Sequence, residues 1–179
     1  MNIIVAGGCG FVGSNICIYL KKKNYNVISI DNLSKSYCRL NYDRLKKHKI
    51  KNIKIDISND VHLQKINFKA DLVIDCAAEP AVEVSFKNPQ KVIKNNFITT
   101  LNLLNYVRKN NSNIIFLSSS RIYPIDVSYK IFKSKKNQLY NEETLTSGIK
   151  TIYGFSKYAS EMIIKEFSYL YGTKFIINR

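Results

Sequence analysis

At 179 residues the chain is long enough to bury one core, and 45% hydrophobic with 12% aromatic content excludes a disordered polymer. Its formal charge of +15 would suit a nucleic-acid binder, but the basic residues are spread along the whole chain (21–23, 46–51, 133–136) without a recognised motif, so no nucleic-acid partner is expected. No apolar run approaches the roughly 20 residues of a membrane span, the start has no basic leader, and Cys9, Cys17, Cys38 and Cys76 lack metal or disulfide spacing, which fits reduced thiols in a cytoplasm and no metal site.

In chain order, a strand at 3–6 runs into GGCGFVG at 7–13 and a helix near 12–23. A strand at 27–30 closes on Asp31, and a helix follows near 37–49. Strands at 53–57 and 72–76 precede a long amphipathic stretch at 89–109. A strand at 114–117 leads to an irregular segment at roughly 125–150, rich in Lys, Asn, Ser and Thr, of a length that is usually functional or mobile. A helix near 153–171 and a strand at 175–177 complete the chain. The strand runs are short, β-branched and nearly continuous, as in strands covered on both faces. Their alternation with helices predicts an α/β fold with a doubly wound parallel sheet of Rossmann type and right-handed crossovers.

The glycine turn follows a strand and opens a helix, and Asp31 ends the second strand 18 positions after Gly13. Two registers fit, Gly8-x-Gly10-x-x-Gly13 and Gly7-x-x-Gly10-x-x-Gly13. A turn that merely needs small residues would look similar. In this setting, though, one glycine permits the turn, the next lets backbone N–H groups approach a pyrophosphate, and Gly13 lets the helix pack closely. Asp31 would accept hydrogen bonds from the adenosine ribose and repel a 2′-phosphate.

YGFSK at 153–157 adds chemistry. Tyr153 and Lys157, four apart on a helix, share a face. A free phenol ionises near pH 10, and a neighbouring ammonium favours its anion. The bland alternative is a surface lysine beside a half-buried tyrosine. Ser118, Ser119 and Ser120 lie at the C-terminal end of a predicted strand, where open α/β sheets bind ligands. His48 and His62 are isolated, the cysteines read as packing, and Glu161 is expected to pair with Lys157 or support packing.

On Gly7-x-x-Gly10-x-x-Gly13, DNLS at 31–34, Asp56-Ile57, CAAEP at 76–80, Asn95, SSSRIYP at 118–124 and YGFSK, essentially the whole chain resembles the extended short-chain dehydrogenase/reductase family of NAD-dependent nucleotide-sugar epimerases and dehydratases. The resemblance implies NAD as cofactor. It puts Gly7, Gly10, Phe11, Val12 and Gly13 at the pyrophosphate, and Asp31, Asn32, Leu33, Ser34, Lys35 and Ser36 around the adenosine ribose. Asp56 and Ile57 would flank the adenine, with Ala77, Ala78, Glu79, Pro80 and Asn95 also along the dinucleotide. Ser119, Tyr153 and Lys157 match the catalytic hydroxyl, base and helper, Tyr153 and Lys157 also touching the cofactor.

The resemblance further implies a CDP- or UDP-sugar substrate and a homodimer built on two helices. Their apolar stripe would comprise Ile93, Phe97, Leu101, Leu104, Met162, Ile163 and Phe167. SSSRIYP is most similar to the CDP-paratose (CDP-tyvelose) 2-epimerase group. Dehydratases of the family carry Thr-Asp-Glu where Ser119, Ser120 and Arg121 stand, so the implied reaction is hydride transfer alone, an epimerisation. A nucleotide-sugar 4-epimerase and a catalytically inactive NAD-binding module are the alternatives. Members of the family continue beyond this last strand, so residues 1–179 read as an NAD-binding Rossmann domain of a truncated member. The C-terminal substrate domain would be missing and the isolated chain inactive.

Overall fold

The first strand, β1 (Asn2–Ala6), has side chains that alternate between two interiors. Ile4 and Ala6 join a cluster with Leu103, Leu104, Val107, Phe116 and Ile164. Ile3 and Val5 join Cys17, Ile18, Leu45 and Ile74 on the other face. Successive residues of a strand point to opposite faces, so a continuous apolar run is what a strand covered on both sides requires. The computed structural model describes residues 1–133, 140, 141 and 143–179.

β1 is the centre of a six-stranded sheet with β2 (Asn26–Ile30), β3 (Lys51–Ile53), β4 (Leu72–Asp75), β5 (Asn113–Leu117) and β6 (Phe175–Asn178). The order is β3-β2-β1-β4-β5-β6, and every pairing is parallel. The strand order reverses between β1 and β4, and that reversal opens a crevice at the strands' C-terminal ends. The doubly wound Rossmann-type sheet expected from the sequence is thus present. No helix among the described residues is long and apolar enough to cross a membrane.

The helices are α1 (Phe11–Lys22), α2 (Tyr37–Lys47), α3 (Asp60–Gln64), α4 (Val82–Lys87), α5 (Pro89–Ile93), α6 (Thr99–Asn110), α7 (Ile125–Lys133) and α8 (Ile152–Tyr171). α8 is punctuated at both ends: Thr151 Oγ1 accepts from the Gly154 N–H at 3.0 Å, and Gly172 closes it at φ 69°.

Four expectations need correction. β3 lies at Lys51–Ile53, not 53–57, because its partner β2 ends at Ile30 and the ladder ends with it. Ile55 still packs on the core from irregular chain. α3 and α4, of five and six residues, are too short to show a helical period. The 89–109 stretch is α5, a π turn at Lys94–Ile98 and α6. The 125–150 segment contains α7, none of whose residues is buried; that expectation also covers 134–139 and 142, which lie outside the described residues.

Candidate functional site

The loops that follow β1, β2, β3 and β4 converge on one cleft of about 290 Å³. Gly7, Gly10, Phe11, Val12 and Gly13 form its floor, and Asp31, Asn32, Ser34 and Lys35 one bank. Asp56, Ile57, Ala77, Ala78, Glu79, Pro80 and Asn95 complete the expected lining. The sequence reading missed Tyr37, Cys38, Ile55, Cys76 and Thr99, which also line it. Leu33 and Ser36 do not: Leu33 turns at φ 58° to pack on the core, and Ser36 is exposed at the head of α2.

The floor is shaped for close approach. A Cβ on Gly13 would fall onto the Gly7 carbonyl oxygen and 2.9 Å from Gly8 Cα, so α1 can meet the turn only with glycine there. Gly7 itself sits at φ 68°. No side chain caps α1 and its first turn holds no acid, so the leading N–H groups and the positive end of the helix are left for an anion.

The Asp31 carboxylate, 8% exposed, accepts from the Cys9 N–H at 3.0 Å and the Leu33 N–H at 2.8 Å. Burial raises its pKa above the ordinary carboxyl value, and the two amides pull it back. Across the cleft, Lys35 Nζ donates to both oxygens of Glu79, at 2.9 and 2.7 Å. Glu79 is held in turn by its backbone N–H, which donates to Asn96 Oδ1 at 2.7 Å. Asn96 belongs to the π turn and donates to Ser156 Oγ at 2.9 Å, tying the β4 loop to α8. A π turn at such a junction is common where helices carry function.

Ser119, Tyr153 and Lys157 stand outside the lining of this cleft and gather beside it, at the C-terminal end of β5. Ser119 heads a single 3₁₀ turn, Ser120–Ile122, its Oγ accepting from the Arg121 N–H at 3.1 Å. Tyr153 and Lys157, one turn apart on α8, are both buried. Lys157 Nζ donates to the Leu117 carbonyl at 2.8 Å and lies 4.4 Å from the centre of the Phe116 ring. Burial depresses its pKa, while Asp75, Cys76 and Glu161 favour its charge. The expected Lys157–Glu161 pairing is not what forms. Glu161 accepts from Ser118 Oγ and, through three contacts of 2.7 to 3.2 Å, from Arg179.

Gly154 was also missed. A Cβ on it would fall on the Arg121 carbonyl oxygen, so glycine is what lets the Tyr153 end of α8 meet the turn headed by Ser119. Its place inside the YGFSK motif was the available signal. With its glycine floor, uncapped helix and carboxylate bank, the cleft fits a dinucleotide, and the adjoining Ser/Tyr/Lys group fits proton transfer at a hydroxyl.

Comparison with known proteins agrees with this geometry. The sequence model of the NAD dependent epimerase/dehydratase family matches residues 3–179. A putative UDP-glucose 4-epimerase of Methanocaldococcus jannaschii is 34% identical over 99% of the chain and 54% of its own length. CDP-paratose 2-epimerase of Salmonella typhi is 28% identical over 100% of the chain and 56% of its own length. UDP-glucuronic acid 4-epimerase of Bacillus cereus, solved with UDP-glucuronic acid and NAD, superposes with a TM-score of 0.79 at 26% identity, covering 99% of this chain and 55% of that one. The chain thus spans about half the length of these relatives.

Proposed function

The chain belongs to the NAD dependent epimerase/dehydratase family, and we propose that it binds NAD in the glycine cleft and carries the proton-transfer residues of a nucleotide-sugar epimerase. NAD bound there supplies a reversible hydride acceptor. The Tyr153 phenolate takes the proton from a sugar hydroxyl, and the phenol so formed later returns it. Lys157, buried one helical turn along the same face, stabilises the phenolate by its charge. Ser119 donates a hydrogen bond to the reacting oxygen once its hydroxyl turns from the strand end toward substrate. Arg121 stands where a dehydratase of the family has a carboxylate, so the residues suffice for hydride transfer and offer no acid–base pair for elimination.

The observation that carries this reading is the assembly of Ser119, Tyr153 and Lys157 at one strand end beside a cleft whose floor requires glycine. The SSSRIYP stretch favours a CDP-sugar and inversion at C2. The 34% identity to a putative UDP-glucose 4-epimerase favours the second reading, inversion of a UDP-sugar at C4. The free thiols suit a cytoplasmic enzyme.

Two measurements test the proposal. Calorimetry is expected to give NAD binding at least tenfold tighter than NADP binding, on the strength of Asp31; equal affinity refutes its role. NMR of CDP- and UDP-sugars incubated with NAD and a longer form that supplies the substrate domain is expected to show an epimer that Tyr153→Phe fails to produce, while residues 1–179 alone are expected to show none. A 4-keto-6-deoxy product would replace the reading with dehydration.

A further inference from the structure

Among the described residues that line the cleft, Lys35 is the one cation, against the carboxylates of Asp31, Asp56 and Glu79. It stands four residues beyond Asp31, on the same bank. A basic side chain in that neighbourhood is what accommodates a 2′-phosphate in dinucleotide sites, by a charge-assisted hydrogen bond to its oxygens. An unengaged Lys35 would therefore blunt the discrimination expected of Asp31, whose own carboxylate is already bonded by two amides.

Lys35 is engaged. Both oxygens of Glu79 accept from it, and Glu79 is only 1% exposed. The bridge is anchored at the acid end, since the Glu79 backbone N–H is held by the buried Asn96 amide. Lys91 approaches the same carboxylate at 3.8 Å, too far to replace the two short bonds. Displacing Lys35 would leave an ionised carboxylate inside the protein, which is costly. Glu79 also raises the pKa of Lys35, keeping it charged and bound.

Resting on the reading that the cleft holds NAD, we propose that Glu79 is a specificity-determining residue: it holds the Lys35 ammonium across the cleft and so withholds from a 2′-phosphate the one cation among the described residues that line it. Asp31 supplies the repulsion, and Glu79 removes the compensation. The selectivity against NADP is thereby set from two strands at once, by the loops after β2 and β4.

Calorimetric titration of the native chain with NAD and NADP gives the reference ratio of affinities. In Glu79→Gln the amide no longer holds the ammonium by charge. The affinity for NADP relative to NAD is then expected to rise about tenfold, the worth of one charge-assisted hydrogen bond. Adding Lys35→Gln to Glu79→Gln is expected to return the ratio to within about threefold of native. An unmoved ratio in Glu79→Gln, or a gain that survives the loss of Lys35, overturns the inference. Lys35→Gln alone, with Lys91 still near Glu79, tests it even if Glu79→Gln does not fold. The ratio is expected to stay within about threefold, and a tenfold fall in relative NADP affinity shows that Lys35 was free for phosphate and overturns it. A native chain that binds neither dinucleotide overturns instead the cofactor reading beneath it.

Discussion

Gly154→Ala sets two effects of opposite sign against each other. Alanine is the better helix former by about 1 kcal/mol, so on propensity alone the change stabilises α8. The new Cβ, however, would meet the Arg121 carbonyl, its oxygen in outright overlap and its carbon at 3.0 Å. Both are backbone atoms, fixed within a turn in which the Arg121 N–H donates to Ser119 Oγ. Relief requires the start of α8 to lift away, and overlap this deep with backbone atoms puts the cost in the upper part of the usual overpacking range, about 2–3 kcal/mol. Packing wins: a net loss of about 1–2 kcal/mol is expected, which in a domain of this size lowers Tm by roughly 2–8 °C. Urea and thermal denaturation measure it. Gly172→Ala is the control, since it has nothing within 4 Å and carries only the cost of φ 69°, about 1–2 kcal/mol. The lift would also separate Tyr153 from Ser119, and a shift near 1 Å can cost about 100-fold in rate. A Gly154→Ala protein as stable as native would refute the close-approach argument.

Burial pushes the thiols of Cys9 and Cys76 up to about 12, so at pH 8 almost none is thiolate, against roughly one in four for an ordinary cysteine. Iodoacetamide labelling at those two positions, read by mass spectrometry, is expected to be more than tenfold slower in native protein than in urea, and equal rates would refute the burial. Arg179→Met leaves Glu161, which is fully buried, with Ser118 as its one partner; unfolding stability is expected to fall by about 3 kcal/mol, and a loss under about 0.5 kcal/mol in urea titration would show that the pair contributes nothing. Ile93, Phe97, Leu101, Met162 and Ile163 remain half-buried on the α5–α6 and α8 faces, whereas Leu104 and Phe167 are absorbed into the core. A dimer is expected by light scattering at micromolar concentration, and a monomer would count against that surface.

Signals confined to one element were readable before any coordinates. The continuous Ile, Val and Leu runs of β1, β2, β4 and β5 could only be strands covered on both faces, and they are. The glycine turn declared itself because backbone proximity leaves no room for a side chain, a constraint that acts on residue type directly. At 53–57 the pattern misled. Ile53, Ile55 and Ile57 alternate with polar residues as a strand would, yet pairing depends on the neighbour, and β2 ends at Ile30.

Long-range pairing carries no such local mark. Lys157 and Glu161, one helical turn apart, invited an ion pair. The buried Glu161 instead found Arg179, eighteen residues away, because Lys157 is drawn toward the Leu117 carbonyl on β5. Lys35 and Glu79 are 44 residues apart and meet only because β2 and β4 flank β1 on opposite sides. In a doubly wound sheet the loops at one end come from strands distant in sequence, so the residues that tune a site are paired by strand order rather than by spacing. The four-residue turn between β1 and α1 can be read from the chain, while the charge balance on the cleft above it follows only once the order β2-β1-β4 is known.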